Sequence, residues 1–206
     1  MITVIGTSHI SPQSVESAKS VIISKKPDCV AVELCPERYH ALKHGVRKPS
    51  LRFGLTTYIF SIIQQHLSHK THIMPGAEMM AAVEAGLEVG AKVVLIDAPI
   101  GITLQKIQKV PPSRKISMIL RLLFDSLKGG KATIDLNKVP SQALIDKAMI
   151  YMKRDMPEFY EILVVERNKY MHEWIKKLAA DYKNIVVVVG AGHKKDLEKM
   201  IKGDKL

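Results

Sequence analysis

The 206-residue chain is predicted to be an α/β domain with a largely parallel central sheet and helices on both faces. Three observations predict this. Ile185-Val186-Val187-Val188-Val189 places five β-branched residues in a row, which suits a strand buried on both faces and not an amphipathic helix. Short apolar runs at 2–5, 29–32, 92–96 and 184–189 are separated by longer segments of helical period, the alternation expected of a parallel sheet. Each run is followed closely by a histidine or a carboxylate: His9, Glu33, Asp97 and His193. In an open α/β sheet, ligands sit outside the carboxyl ends of the strands, so parallel strands would bring these four residues to one edge.

The elements follow in order. Ile2-Thr3-Val4-Ile5 is the first strand, and Gly6-Thr7-Ser8-His9 is expected to turn away from the sheet. Ser11 and Pro12 supply a helix cap and first helical residue, and Val15, Ala18, Val21 and Ile22 share one helical face as far as Lys25. Cys29 to Val32 is a second buried strand running straight into Glu33, and a short helix over 36–42 carries Arg38 in its first turn. The segment 43–70 is basic and amphipathic, and its His44, His66 and His69 lack any ligand spacing. Pro75-Gly76-Ala77-Glu78 opens a helix expected to bury Met79, Met80, Val83 and Leu87, with small Ala81, Ala82, Ala85 and Gly86 permitting close packing against the sheet and Gly90 as its stop. Lys92 to Ile96 is the third strand, ending in Asp97.

A helix is expected between Pro99 and Val110, broken by Pro111-Pro112. An amphipathic helix follows over 113–128, with Ile116, Ile119, Leu120, Leu123, Phe124 and Leu127 on one face. Another helix runs from Ser141 to about Lys153. Asp155-Met156-Pro157-Glu158 resembles a capping box opening a long helix to Asp181, with a stripe of Leu163, Arg167, Tyr170, Met171, Trp174 and Leu178. A charge within an apolar stripe must be paired or serve a ligand, which singles out Arg167, with Glu166 at the border. The last strand ends in Gly190-Ala191-Gly192-His193, a second strand-Gly-x-x-His sequence. One domain over 1–206 is expected, with helical insertions at about 36–90 and 100–155.

Composition narrows the class. Hydrophobic content of 47% with 25% charged residues is that of a globular domain. The first apolar run is too short for a signal peptide, and no stretch reaches the ~18 uninterrupted apolar residues of a membrane span. Two cysteines, Cys29 and Cys35, make neither a zinc pattern nor a disulfide framework, so a cytoplasmic setting is expected. Lys and Arg number 31 against 20 Asp and Glu, a net charge of +11. The basic residues are scattered and aromatics are scarce, which argues against specific nucleic-acid binding and for a solvated surface. The basic amphipathic stretch leaves room for peripheral membrane association.

Two histidines in equivalent settings plus Glu33 make a good donor set for a divalent metal: zinc, manganese, iron or cobalt. Such a metal would activate water and polarise a carbonyl. Without it, His9 and Glu33 could serve as general acid and base, with Arg38 or Arg167 holding an anion or a developing oxyanion.

Gly6-Thr7-Ser8-His9, Val32-Glu33-Leu34-Cys35 with Arg38, Pro75-Gly76-Ala77-Glu78-Met79, Ile96-Asp97, Glu166-Arg167-Asn168 and Gly190-Ala191-Gly192-His193 together resemble the TraB/PrgY family. That family groups with the TIKI, GumN and erythromycin esterase/ChaN-like proteins. The resemblance implies an EreA/ChaN-like fold and a metal-dependent, peptidase-like hydrolase acting on a peptide or small carbonyl substrate. Relatives of this kind include TIKI metalloproteases and PrgY, linked to pheromone shutdown. It assigns ligand or catalytic roles to His9, Glu33 and His193, with Arg167 beside them and Arg38, Glu78, Asp97 and Glu166 in support. The alternative is a non-catalytic regulator that binds a peptide or metal, with homo-oligomerisation open. Ala98 stands where many relatives have arginine, and longer members continue into membrane helices.

Overall fold

A computed structural model of the chain describes residues 1–7, 12–44, 76–118 and 142–206. Among these, four strands form one parallel sheet in the order β1-β4-β2-β3. The strands are β1 (Ile2–Thr7), β2 (Cys29–Val32), β3 (Lys92–Leu95) and β4 (Ile185–Gly190). The strand richest in β-branched residues, β4, lies between β1 and β2 and is buried along its whole length. Its neighbour β2 is also fully buried, as continuous apolar runs in a helix-covered sheet should be.

Alternate side chains of the two inner strands serve opposite faces. On one face, α1 (Pro12–Lys25) and α3 (Ala77–Glu88) set Ala18, Ile22, Met79, Ala82 and Val83 against Val30, Val32, Val186 and Val188. On the other, α7 (Glu166–Asp181) and α8 (Ala191–Gly203) set Met171, Ile175, Leu197 and Ile201 against Ala31, Ile185, Val187 and Val189. The expected sheet with helices on both faces is therefore observed. The remaining helices are α2 (Pro36–His44), α4 (Ile100–Lys109), α5 (Gln142–Asp155) and α6 (Pro157–Tyr160), and 112–118 is also helical. Ile107 and Val110 form a smaller core with Phe159.

Five local expectations differ from the structure. Leu87 is 62% exposed, while Ala82, Ala85 and Gly86 are buried on α3 as expected, their small size letting the helix lie close to the sheet. Both Gly-x-x-His strands run further than their apolar residues suggest, through Thr7 and Gly190, because backbone pairing continues to Thr7↔Gly190. After Gly190 the chain enters α8 at once, so His193 occupies a first helical turn and not a loop. Helix α6 starts at Pro157 with Met156 at the N-cap position and no side-chain cap, so the expected capping box is not made, and the chain passes through a π-helical turn, Glu161–Val165, before α7. Ile116 is exposed, and the rest of the 113–128 stripe lies outside the described residues, as do His66 and His69.

Both cysteines are buried and unbridged. Burial pushes the Cys29 thiol up to about 11, with Lys92 pulling it back and Asp28 adding to the rise, so it is chemically quiet at neutral pH. Among the described residues no helix is long and apolar enough to cross a membrane.

Close approach of α3 to the sheet is testable at Gly86. A Cβ there would stand 2.9 Å from Val93 Cγ2 and 3.1 Å from Val30 Cγ2, both on stiff β-branched side chains. Alanine improves helix propensity, yet overpacking should win. Gly86→Ala is expected to cost about 1–3 kcal/mol in urea unfolding.

Candidate functional site

The strand order puts the ends of β3, β2 and β4 side by side. Glu33 extends β2 by one residue, its N–H donating to the Val188 carbonyl at 2.9 Å, and Asp97 N–H donates to the Leu34 carbonyl at 3.1 Å. Both side chains are buried, Glu33 at 1% exposure and Asp97 at 5%. One Glu33 oxygen, Oε2, accepts the Gly190 N–H at 2.6 Å, which ties it to the end of β4. Two carboxylates taken out of water at one sheet edge require a cation.

That cation is Arg167, and all five of its N–H groups are used. Nε donates to Asp97 Oδ1 and Nη2 to Asp97 Oδ2, both at 2.9 Å, in a bidentate fork. Nη2 also donates to Glu33 Oε1. Nη1 donates to the Leu163 carbonyl within the π-helical turn and to His193 Nε2, each at 3.2 Å. Burial alone would pull the Arg167 pKa down, but Glu33 and Asp97 outweigh it and hold the guanidinium above its ordinary value. A second arginine, Arg38, reaches Asp97 Oδ2 at 3.5 Å from the half-exposed helix α2. Asp97 Oδ1 also accepts the Ala98 backbone N–H at 2.8 Å.

The protonation of His193 follows from this network. Guanidinium has donors and no acceptor, so the Nε2 facing Arg167 must offer its lone pair. The ring proton of a neutral imidazole then sits on Nδ1, which donates to Asn168 Oδ1 at 2.7 Å. The same logic fixes the Asn168 amide, since its NH2 group would oppose the Nδ1 proton. His193 Nε2 is thus an unprotonated nitrogen that accepts from Arg167 Nη1 and lies 3.5 Å from Glu33 Oε1, with His193 itself 7% exposed.

With the geometry in hand, the comparisons with known proteins are informative. The model of the TraB/PrgY/gumN family matches residues 1–202. The chain belongs to that family. It is similar to an uncharacterized protein of Methanocaldococcus jannaschii, 28% identical over 214 residues covering 98% of this chain and 53% of that protein. It is also similar to the TraB domain-containing proteins of Mus musculus and Homo sapiens, each 25% identical over 95% of this chain and 61% of their own length. The chain thus spans only about half to three fifths of these relatives.

Of the residues expected at the site, Glu33, Asp97, Arg167, His193 and Arg38 are brought together. His9 follows Thr7 by two residues and lies outside the described residues. Glu78 is buried in the first turn of α3 but is not among the groups that Arg167 contacts. Glu166 faces the rim, where its Oε2 accepts from Lys106 Nζ at 2.7 Å. Among the described residues no three His, Cys, Asp or Glu side chains are grouped as a metal site. Asn168 belongs to the site but carried no role in the sequence reading. Its signal was available: it is 3% exposed in the buried series Val164, Asn168, Met171, Ile175 and Leu178, the same polar-in-apolar anomaly that marked Arg167.

Arg167→Ala should cost roughly 3–5 kcal/mol in denaturant unfolding, because it strands buried carboxylates. Arg38→Ala, removing one long contact to a part-exposed group, should cost no more than about 1 kcal/mol. The tautomer can be read by long-range ¹H–¹⁵N correlation of the His193 ring. The parent and Asn168→Asp should both carry the proton on Nδ1, whereas Asn168→Leu should give a mixture of tautomers.

Proposed function

We propose that this chain is a hydrolase for a peptide or related carbonyl substrate, working at the carboxyl edge of the sheet. The observation that carries this reading is the unprotonated His193 Nε2 held 3.5 Å from Glu33 Oε1 beside a buried guanidinium. A lone pair, a carboxylate and a fixed positive charge at one point are what water activation and oxyanion stabilisation need.

His9, Glu33 and His193 are the proposed ligands of a divalent metal of the manganese, cobalt, zinc or iron type. What supports this is the chemistry of the described pair: His193 offers an imidazole nitrogen and Glu33 a carboxylate oxygen 3.5 Å apart, donor types that would suit such an ion. When bound, the metal would polarise the carbonyl and make water acidic. The chain's own groups do the rest. Asn168 orients the imidazole, as a partner on the second ring nitrogen does for a histidine ligand. Glu33, fixed by the Gly190 N–H, holds its second oxygen toward His193. Arg167, and Arg38 at the half-exposed rim, supply positive charge for an anionic group of the substrate.

A non-catalytic binding role is the second reading, favoured by the closure of the network: each N–H of Arg167 already has a partner inside the protein. The two readings part in an assay of peptide and ester substrates with and without Mn²⁺, Co²⁺ or Zn²⁺. Hydrolysis by the parent, reduced about 10²-fold or more in His193→Gln and Glu33→Gln that remain folded by circular dichroism, supports the enzyme. Tight peptide binding with no turnover under any of these conditions would leave the regulator.

A further inference from the structure

Arg167 touches the two donors of the proposed metal pair with adjacent arms of its guanidinium. Nη2 donates to Glu33 Oε1, and Nη1 donates to His193 Nε2 at 3.2 Å. These two atoms lie 3.5 Å apart, and Glu33 and His193 are the residues that would hold a small divalent cation. A guanidinium fork and a metal ion cannot occupy that position together, since both need the same lone pairs and both are positive.

We infer that Arg167 is a displaceable internal cation that competes with metal for Glu33 and His193, so that loading of the site requires its partial withdrawal. Charge counting agrees. Glu33 and Asp97 contribute two negative charges, Arg167 and Arg38 two positive ones, and His193 is neutral, so the described groups already balance. Moving Arg167 off Glu33 restores a carboxylate for the incoming ion.

Asp97 gives the withdrawn guanidinium a resting place. It binds the Nε–Nη2 edge in a bidentate fork, leaving a rotation toward Asp97 that gives up Glu33 and His193 while keeping the stronger pair. The π-helical turn bears on the same motion, because the Leu163 carbonyl within it is the remaining partner of Nη1. Turns of this kind recur at functional sites within helices. Lysine could not perform the same role, as a point charge cannot span two donors and a carboxylate at once.

This inference rests on the metal-binding form of the proposed function, and its test requires no substrate. The full chain, stripped with chelator, is titrated with Mn²⁺ alone, and free ion is followed by electron paramagnetic resonance. Arg167→Gln should bind Mn²⁺ about tenfold or more tightly than the parent, because the competent state no longer has to be vacated. Arg167→Lys, which keeps the charge and supports folding, should fall between them. Adding Glu33→Gln to either variant should remove the gain. Equal or weaker Mn²⁺ affinity in Arg167→Lys, and in Arg167→Gln where it folds, would overturn the competition. Hydrolysis by a protein that binds no metal in any variant would overturn it while sparing a metal-free hydrolase. Tighter binding without any turnover would uphold it and count against the hydrolase.

Discussion

Two buried carboxylates meet at the end of one parallel sheet, and a single arginine makes that arrangement tolerable. The desolvation of Glu33 and Asp97 is an expense that geometry must recover, and Arg167 recovers it with a complete set of hydrogen bonds. The surrounding architecture follows from that need. Helix α7 has to present Arg167 to the ends of β2 and β3 while burying Met171, Ile175 and Leu178 against the sheet. The π-helical turn immediately before α7 leaves the Leu163 carbonyl within reach of the guanidinium.

Sheet topology turns a distant set of residues into neighbours. Glu33, Asp97 and His193 lie at or just beyond the ends of β2, β3 and β4, which are adjacent in the sheet although most of the chain separates them in sequence. β1 flanks β4 on the other side, with Thr7 paired to Gly190 and its hydroxyl donating to the Val189 carbonyl at 3.2 Å. Close packing at this corner needs a glycine. A Cβ at Gly6 would come within 3.3 Å of the Ala191 backbone, at the start of the helix that carries His193. The glycine of the first strand therefore makes room for the helix of the last.

Where one physical signal dominated, the sequence was readable. Runs of β-branched residues marked the strands, because only a sheet covered on both faces accommodates them. Arg167 was readable because charge in an apolar stripe has few explanations. The stripe itself was misplaced, since the large side chains of Tyr170 and Trp174 drew it toward a face where Tyr170 is 37% exposed and Trp174 only partly buried. The face that packs on the sheet instead includes Asn168 and His172, polar residues that periodicity assigns to solvent. Each has a nearby partner that no local pattern reveals: His193 for Asn168, and Asp204 at 3.5 Å for His172. Leu87 was misplaced for a related reason, as hydrophobicity indicates what prefers burial and not which side of a helix the sheet will meet.

The histidine is what separates an active site from a structural strut at this sheet edge. The charges of Arg167, Glu33 and Asp97 would be paired without any imidazole, through one bidentate fork and one further bond, with only one N–H of Nη1 left to find another acceptor. His193 adds no compensating charge to that network. It brings a polar ring to 7% exposure and requires a second buried polar group, Asn168 at 3% exposure, to satisfy it. An aliphatic side chain in the same first turn of α8 would avoid both desolvation costs. What the imidazole adds is a lone pair of fixed direction beside a carboxylate, a property of use in binding a cation or moving a proton and of little use in holding a helix to a sheet.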